Sequence, residues 1–134
     1  MPNMFNKNIL DEEINDELPI IDISNDTFRQ TVIAEGTREI YQGHPTTILS
    51  SDGKTIFCVW TYDHGGPCGP MARSTDNGKT WVRIDDILPA SYAATHRNCP
   101  TLQPIMSPDG SERRICIFSN LNKKLGILMS RDNG

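Results

Sequence analysis

Three histidines, His44, His64 and His96, are the side chains in this chain best suited to moving a proton or holding a metal near neutral pH. Their separations of 20 and 32 residues match no metal-ligand motif, so hydrogen-bonded or exposed histidines are expected and neither a metal nor another cofactor is. The four cysteines, Cys58, Cys68, Cys99 and Cys116, include no Cys-x-x-Cys and no Cys/His cluster of zinc spacing. They read as buried or half-buried free thiols. Trp60 and Tyr62 are two apart in an apolar run, so as strand residues they share a face, either for packing or for stacking on a sugar ring.

Positioning such groups falls to short strands. "PTTILS", the turn "SDGK" with Asp52-Gly53, and "TIFCVWTY" read as a β-hairpin. A Gly/Pro loop, "DHGGPCGP", leads to "MARS", and the turn "STDNGKT" leads to "TWVRI", giving four antiparallel strands over about 45–84. The order then restarts with "CPTLQPIM", the turn "SPDGSE", "RRICIFSN", "LNKK", and "LGILMS" running into "RDNG". The copies are 56 residues apart, counted from Ser74 to Ser130. A repeat of that length with about four strands is the signature of a propeller blade.

The chain has 134 residues, enough for one ordinary domain. With 37% hydrophobic and 22% charged residues, it is neither disordered overall nor fibrous. Residues 1–26 hold seven acids against Lys7, a net of −6, so with a total of −4 the remainder carries about +2. No basic stripe exists to neutralise phosphates, which excludes nucleic acid as an expected partner. No run approaches the roughly 20 apolar residues of a membrane span, and the acidic start lacks the pattern of a signal peptide. As written, the chain is expected in the cytoplasm. Residues 1–37 read as an acidic arm with a short helix within "NILDEEINDELPIIDI", followed by a strand near "TVIAEG" or "REIYQG".

"STDNGKTW" places Ser74, Asp76, Gly78 and Trp81 in the pattern Ser-x-Asp-x-Gly-x-x-Trp, and Ser130, Asp132 and Gly134 begin a second copy. The motif resembles the Asp box, or BNR repeat, of the sialidase superfamily. Its chemistry is that of a turn: a carboxylate accepts backbone N–H groups, glycine permits positive φ, and tryptophan packs over the turn. The resemblance implies an all-β chain: a β-propeller fragment over 38–134, about two four-stranded antiparallel blades of an expected six. The first blade would be about 45–84 and an incomplete second about 99–134, with the missing C-terminal blades needed to close the ring.

Sialidases grip a carboxylate with three arginines, and use an Asp acid/base and a Tyr nucleophile assisted by a Glu. Where the family has Arg-Ile-Pro, this chain reads Gly43-His44-Pro45, and "WTYDHGGPCGP" also lacks the second expected arginine. By the same resemblance Asp63 is the candidate general acid, with a backbone-orienting loop carboxylate as its alternative. Arg97, in "HRNCPT", is the candidate substrate-binding arginine, with a surface ion pair as its alternative. His44, His64 and Tyr62 complete the substrate-binding set. The function implied is the N-terminal part of an exo-acting glycoside hydrolase on a glycan other than sialic acid, inactive as this fragment. The competing reading is a non-catalytic propeller that binds carbohydrate or protein. Independent action of these 134 residues is disfavoured, because open blade edges invite aggregation.

Overall fold

The computed structural model describes residues 21–132. The chain divides into two compact units, residues 1–30 and 31–134. In the described part of the first, a 3-10 turn at Thr27–Arg29 is held by an Arg29–Asp26 ion pair of 3.3 Å and by the Gln30 side chain on the Ile23 and Ser24 carbonyls. Residues 8–20, most of the segment expected to form a short helix, lie outside the described residues.

The second unit is all-β. Strands β1 (Gln42–Leu49), β2 (Ile56–Tyr62), β3 (Cys68–Ser74) and β4 (Val82–Arg83) form one antiparallel sheet in sequence order. Strands β5 (His96–Met106), β6 (Arg113–Leu121) and β7 (Lys124–Met129) form a second. A 3-10 turn at Asp85–Ile87 and a short helix α1 (Ser91–Thr95) join them. Three boundaries differ from expectation. The first sheet begins at Gln42 rather than 45, the second at His96 rather than 99, and "TWVRI" contributes only the two residues of β4.

No strand forms at "TVIAEG", and of "REIYQG" only Gln42 and Gly43 enter β1. The backbone there bonds to itself: Thr37 N–H donates to the Ile40 carbonyl, and the Thr37 hydroxyl accepts from Glu39 and Ile40 N–H. A side chain that satisfies nearby backbone groups removes the incentive to join a ladder.

The hairpin turns repeat in chemistry as well as sequence. In the first sheet Ser50 N–H donates to the Thr55 carbonyl and Gly53 N–H to the Ser50 carbonyl. In the second, Ser107 and Glu112 take the first bond and Gly110 and Ser107 the other. Gly53 and Gly110 have φ of 66° and 73°, where a Cβ is unfavourable. Asp52 accepts from the Lys54 and Thr55 N–H groups and the Thr55 hydroxyl, and Asp109 from Ser107 and Ser111.

The motif at 74–81 closes as its residue types require. The Ser74 hydroxyl donates to Asp76 and accepts Gly78 N–H at 2.8 Å, Asp76 accepts the Thr80 N–H and hydroxyl, and Trp81 Nε1 donates to the Gly78 carbonyl at 3.0 Å. In the second copy Ser130 exchanges bonds with Ile115, while Gly134 lies outside the described residues.

Donors facing these carboxylates favour the charged form. The Thr55 hydroxyl, then the Thr55 and Lys54 N–H groups, hold Asp52 down to about 2; Ser107 and then Ser111 hold Asp109 there; and Thr80, with Ser74, holds Asp76 lower still. A folded-state pKa below the unfolded one adds stability that is present above the unfolded value, about 3.9, and lost as pH falls through the folded one. The urea midpoint is therefore expected to drop below about pH 4. Asp76→Asn should lower it at pH 7 and make the acid loss shallower; an unchanged acid profile would show that these turns carry no linkage.

The sheets pack through a core containing Ile48, Phe57, Val59 and Met71 from the first and Leu102, Ile115 and Ile117 from the second. The Thr46 hydroxyl ties β1 to β5, donating to the Pro100 carbonyl at 3.0 Å and accepting Leu102 N–H at 3.2 Å. Phe57 pairs with Arg73, just before Ser74, and Cys116 with Met129, just before Ser130. Cys116, Phe118 and Ile127 are thus the counterparts of Phe57, Val59 and Met71. Alternation along β6 places them on the face opposite Ile115 and Ile117. The contact is head to tail, and on that outer face Leu125, Ile127 and Met129 stand exposed. The other face of the first sheet, with Cys58, Trp60 and Ala72, is packed by Ile33, Ala34 and Trp81.

Candidate functional site

The start of β1 and the β2–β3 loop meet at the sheet end remote from the 74–81 turn. Gly43 lies so close that a Cβ there would stand 2.8 Å from the Asp63 carbonyl oxygen. Pairing shifts between Gly43 and Thr46, a bulge at His44-Pro45, and His44 has φ of 50°. Asp63 and Gly65 are also left-handed, with φ of 60° and 72°. These turns bring His44 Nε2 to 3.1 Å from His64 Nδ1, with ring centroids 4.6 Å apart. The sequence separation of 20 is spanned by the β1–β2 hairpin.

Asp63 is exposed, and its Oδ1 accepts Tyr41 N–H at 3.2 Å while its own N–H donates to the Tyr41 carbonyl. Its carboxylate orients backbone. Tyr62 faces a different group: its hydroxyl accepts from Arg83 Nη2 at 3.1 Å, and the Arg83 guanidinium lies 4.9 Å from the Trp60 ring centroid. Trp60 and Tyr62 therefore share a face, as alternation requires.

Arg83 is paired in turn with Asp85, whose Oδ1 also accepts Met71 N–H at 2.8 Å. The Asp85 partner raises the Arg83 guanidinium above its ordinary value. Burial works against the charge of Asp85, but Arg83 and the Met71 N–H outweigh it and hold the carboxyl low. Beside this pair lies an open cleft of about 390 Å³ lined by Tyr62, Cys68, Pro70, Asp86 and Tyr92 among others. Sequence reasoning missed Arg83 and Asp85. The available signal was the opposite charges two residues apart, Arg83 and Asp85, at the end of the "TWVRI" segment.

No family model, curated protein or solved structure matches this chain. Its chemistry rests on its own geometry.

Arg97 is not brought to the His44–His64 pair by any hydrogen bond. Its Nη1 donates to the Ala93 and His96 carbonyls at 2.8 and 2.9 Å, closing the end of α1, and no ion pair of Arg97 forms among the described residues. His96 is buried, with Nδ1 2.6 Å from the Ser119 hydroxyl and its ring against Tyr92, and burial pushes its pKa down. It is a structural histidine, not part of the exposed pair. Among the described residues no group of three or more His, Cys, Asp or Glu side chains has metal-binding geometry.

Cys58, Cys68 and Cys116 are buried free thiols, and burial pushes Cys58 up to about 11. Cys99 differs from the sequence expectation in being exposed, because it lies in the β5 bulge between Arg97 and Thr101. No described helix is long and apolar enough to cross a membrane.

Proposed function

We propose that residues 42–129 are two consecutive blades of a sialidase-like β-propeller, and that the loop end bearing His44, Tyr62, Asp63 and His64 contributes to a carbohydrate-binding surface. The observation that carries this reading is the head-to-tail repeat. Each sheet has an Asp-Gly hairpin of the same bonding, and the second presents on its outer face the counterparts of the residues by which the first receives it. A unit of that kind adds further sheets in the same sense, as a propeller does.

Binding is favoured over hydrolysis by what the polar side chains already do. Asp63 is engaged with the Tyr41 backbone, Arg97 with carbonyls, and Arg83 with Asp85. Aromatic and hydrogen-bonding groups at one open end suit neutral sugar hydroxyls more than a carboxylate. A hydrolytic version of the reading keeps Asp63 Oδ2 as its proton-donating atom, since the described hydrogen bond uses Oδ1.

The full chain should be titrated with a panel of neutral and acidic monosaccharides while amide and ring resonances are followed. Neutral sugars are expected to shift Tyr62, Asp63 and their neighbours, and Tyr62→Phe to weaken binding about fivefold, the worth of one hydrogen bond. Absence of localised shifts with every sugar would sink the binding reading. Release of phenol from aryl glycosides, abolished by Asp63→Asn, would establish the hydrolytic version instead.

A further inference from the structure

We infer that His44 and His64 form a two-imidazole site for a divalent transition-metal ion of the zinc and copper class. The inference does not depend on the carbohydrate reading. Two nitrogens on adjacent positions of a four-coordinate ion, with metal–nitrogen bonds of about 2.0–2.1 Å, lie about 2.9–3.4 Å apart. His44 Nε2 and His64 Nδ1 are 3.1 Å apart.

The backbone explains why the pair is held there. His44 is fixed in the left-handed region within a bulge whose neighbour, Gly43, lies against the Asp63 carbonyl. His64 follows left-handed Asp63 and precedes left-handed Gly65 in a loop closed by Tyr62 N–H on the Pro67 carbonyl at 3.1 Å. Side-chain rotation is then the main freedom left to either ring, and His64 is exposed. In the hydrogen-bonded pair one ring donates from its contact nitrogen. Binding a metal needs that ring to move the proton to its far nitrogen, leaving two lone pairs directed at one ion.

Two protein ligands leave the remaining positions to water or to an incoming oxygen ligand, the arrangement of an open site rather than a closed structural one. The Asp63 carboxylate, adjacent to His64 in sequence, adds negative charge on the same loop. Zinc and copper accept imidazole readily, whereas calcium and magnesium prefer all-oxygen sets.

The test is a zinc titration of the full chain carrying Cys99→Ser, which removes the exposed thiol. It is followed by long-range proton–nitrogen spectra of the histidine rings and by calorimetry. One equivalent of zinc is expected to move the His44 Nε2 and His64 Nδ1 resonances together while leaving His96, buried against Ser119, unmoved. His44→Ala and His64→Ala should each weaken binding at least about tenfold, since either removes half of the chelate. An unmoved His96 signal in those variants confirms that they fold. If zinc leaves both contact nitrogens where they were, or if either variant binds as tightly as the parent, the pair is a hydrogen bond and nothing more.

Discussion

Phe57→Ala is expected to lower the unfolding free energy of the β unit by about 3–5 kcal/mol, read as a fall in the urea midpoint. Phe57 is 2% exposed and lies in the core shared by the two sheets with Val59, Met71, Leu102, Ile115 and Ile117. Truncation removes a large apolar surface and leaves space that paired strands cannot close, because β2 is held on both sides by β1 and β3. Against a total stability of about 5–15 kcal/mol, such a loss takes the unit close to unfolding. Phe57 also borders a groove of about 500 Å³ between the sheets, which gives neighbouring side chains room to relax into the new space and brings the cost toward the lower end of that range. A loss below about 1 kcal/mol would mean that the sheets do not pack across this residue.

Much of this core was legible in the sequence because local chemistry and pairing agree there. Asp52-Gly53 and Asp109-Gly110 mark hairpins through the one property that tight turns demand, tolerance of positive φ, and both glycines have it. The β-branched and aromatic run 55–62 between two turns supplied β2. The start of β1 was less legible. Gly43 reads as a strand breaker, yet it belongs to β1 because the Asp63 carbonyl comes within reach of its missing Cβ. Helix α1, five residues without a side-chain cap, carries no sequence signal strong enough to read.

The resemblance grouped His44, Tyr62, Asp63 and His64 into one site, but the direct contact of the two imidazoles, and the separation of His96 from them, were not legible. Continuing the register Gln42↔Tyr62 and Gly43↔Thr61 places His44 opposite Trp60, not near His64. The pair forms because His44 and Asp63 adopt positive φ, a conformation that Asp and His visit more readily than most side chains but that the sequence does not mark at these two positions. Arg97 drew attention through a resemblance, but the helix that absorbs its guanidinium was not foreseen. Arg83 reaches Tyr62 from β4 across Ala72, a two-strand separation that alternation within one strand does not reveal.

Gly66→Ala is expected to cost about 3 kcal/mol and, unlike Phe57→Ala, to act first on the loop that orients His64. A Cβ at Gly66 would stand 2.0 Å from the Tyr62 carbonyl oxygen and 3.1 Å from its carbon, both backbone atoms that no rotamer change can move aside. Relief requires the 62–67 loop to open. That strains the Tyr62–Pro67 hydrogen bond and the bond from Asn98 N–H to the Gly66 carbonyl, which ties this loop to β5. The His44–His64 contact depends on the same loop, so zinc affinity should fall in Gly66→Ala even under conditions where the sheets remain folded. Gly53→Ala is the matched control: its φ of 66° makes alanine strained, but nothing lies within 4 Å of the added atom. It should cost only about 1 kcal/mol, because the strain of one left-handed residue is all it adds, and it should leave zinc affinity alone. Thermal and urea melts of the two variants beside a zinc titration separate the cases. Equal destabilisation by both would show that the Tyr62 carbonyl does not crowd Gly66, and with that the geometry holding the two imidazoles together would fall.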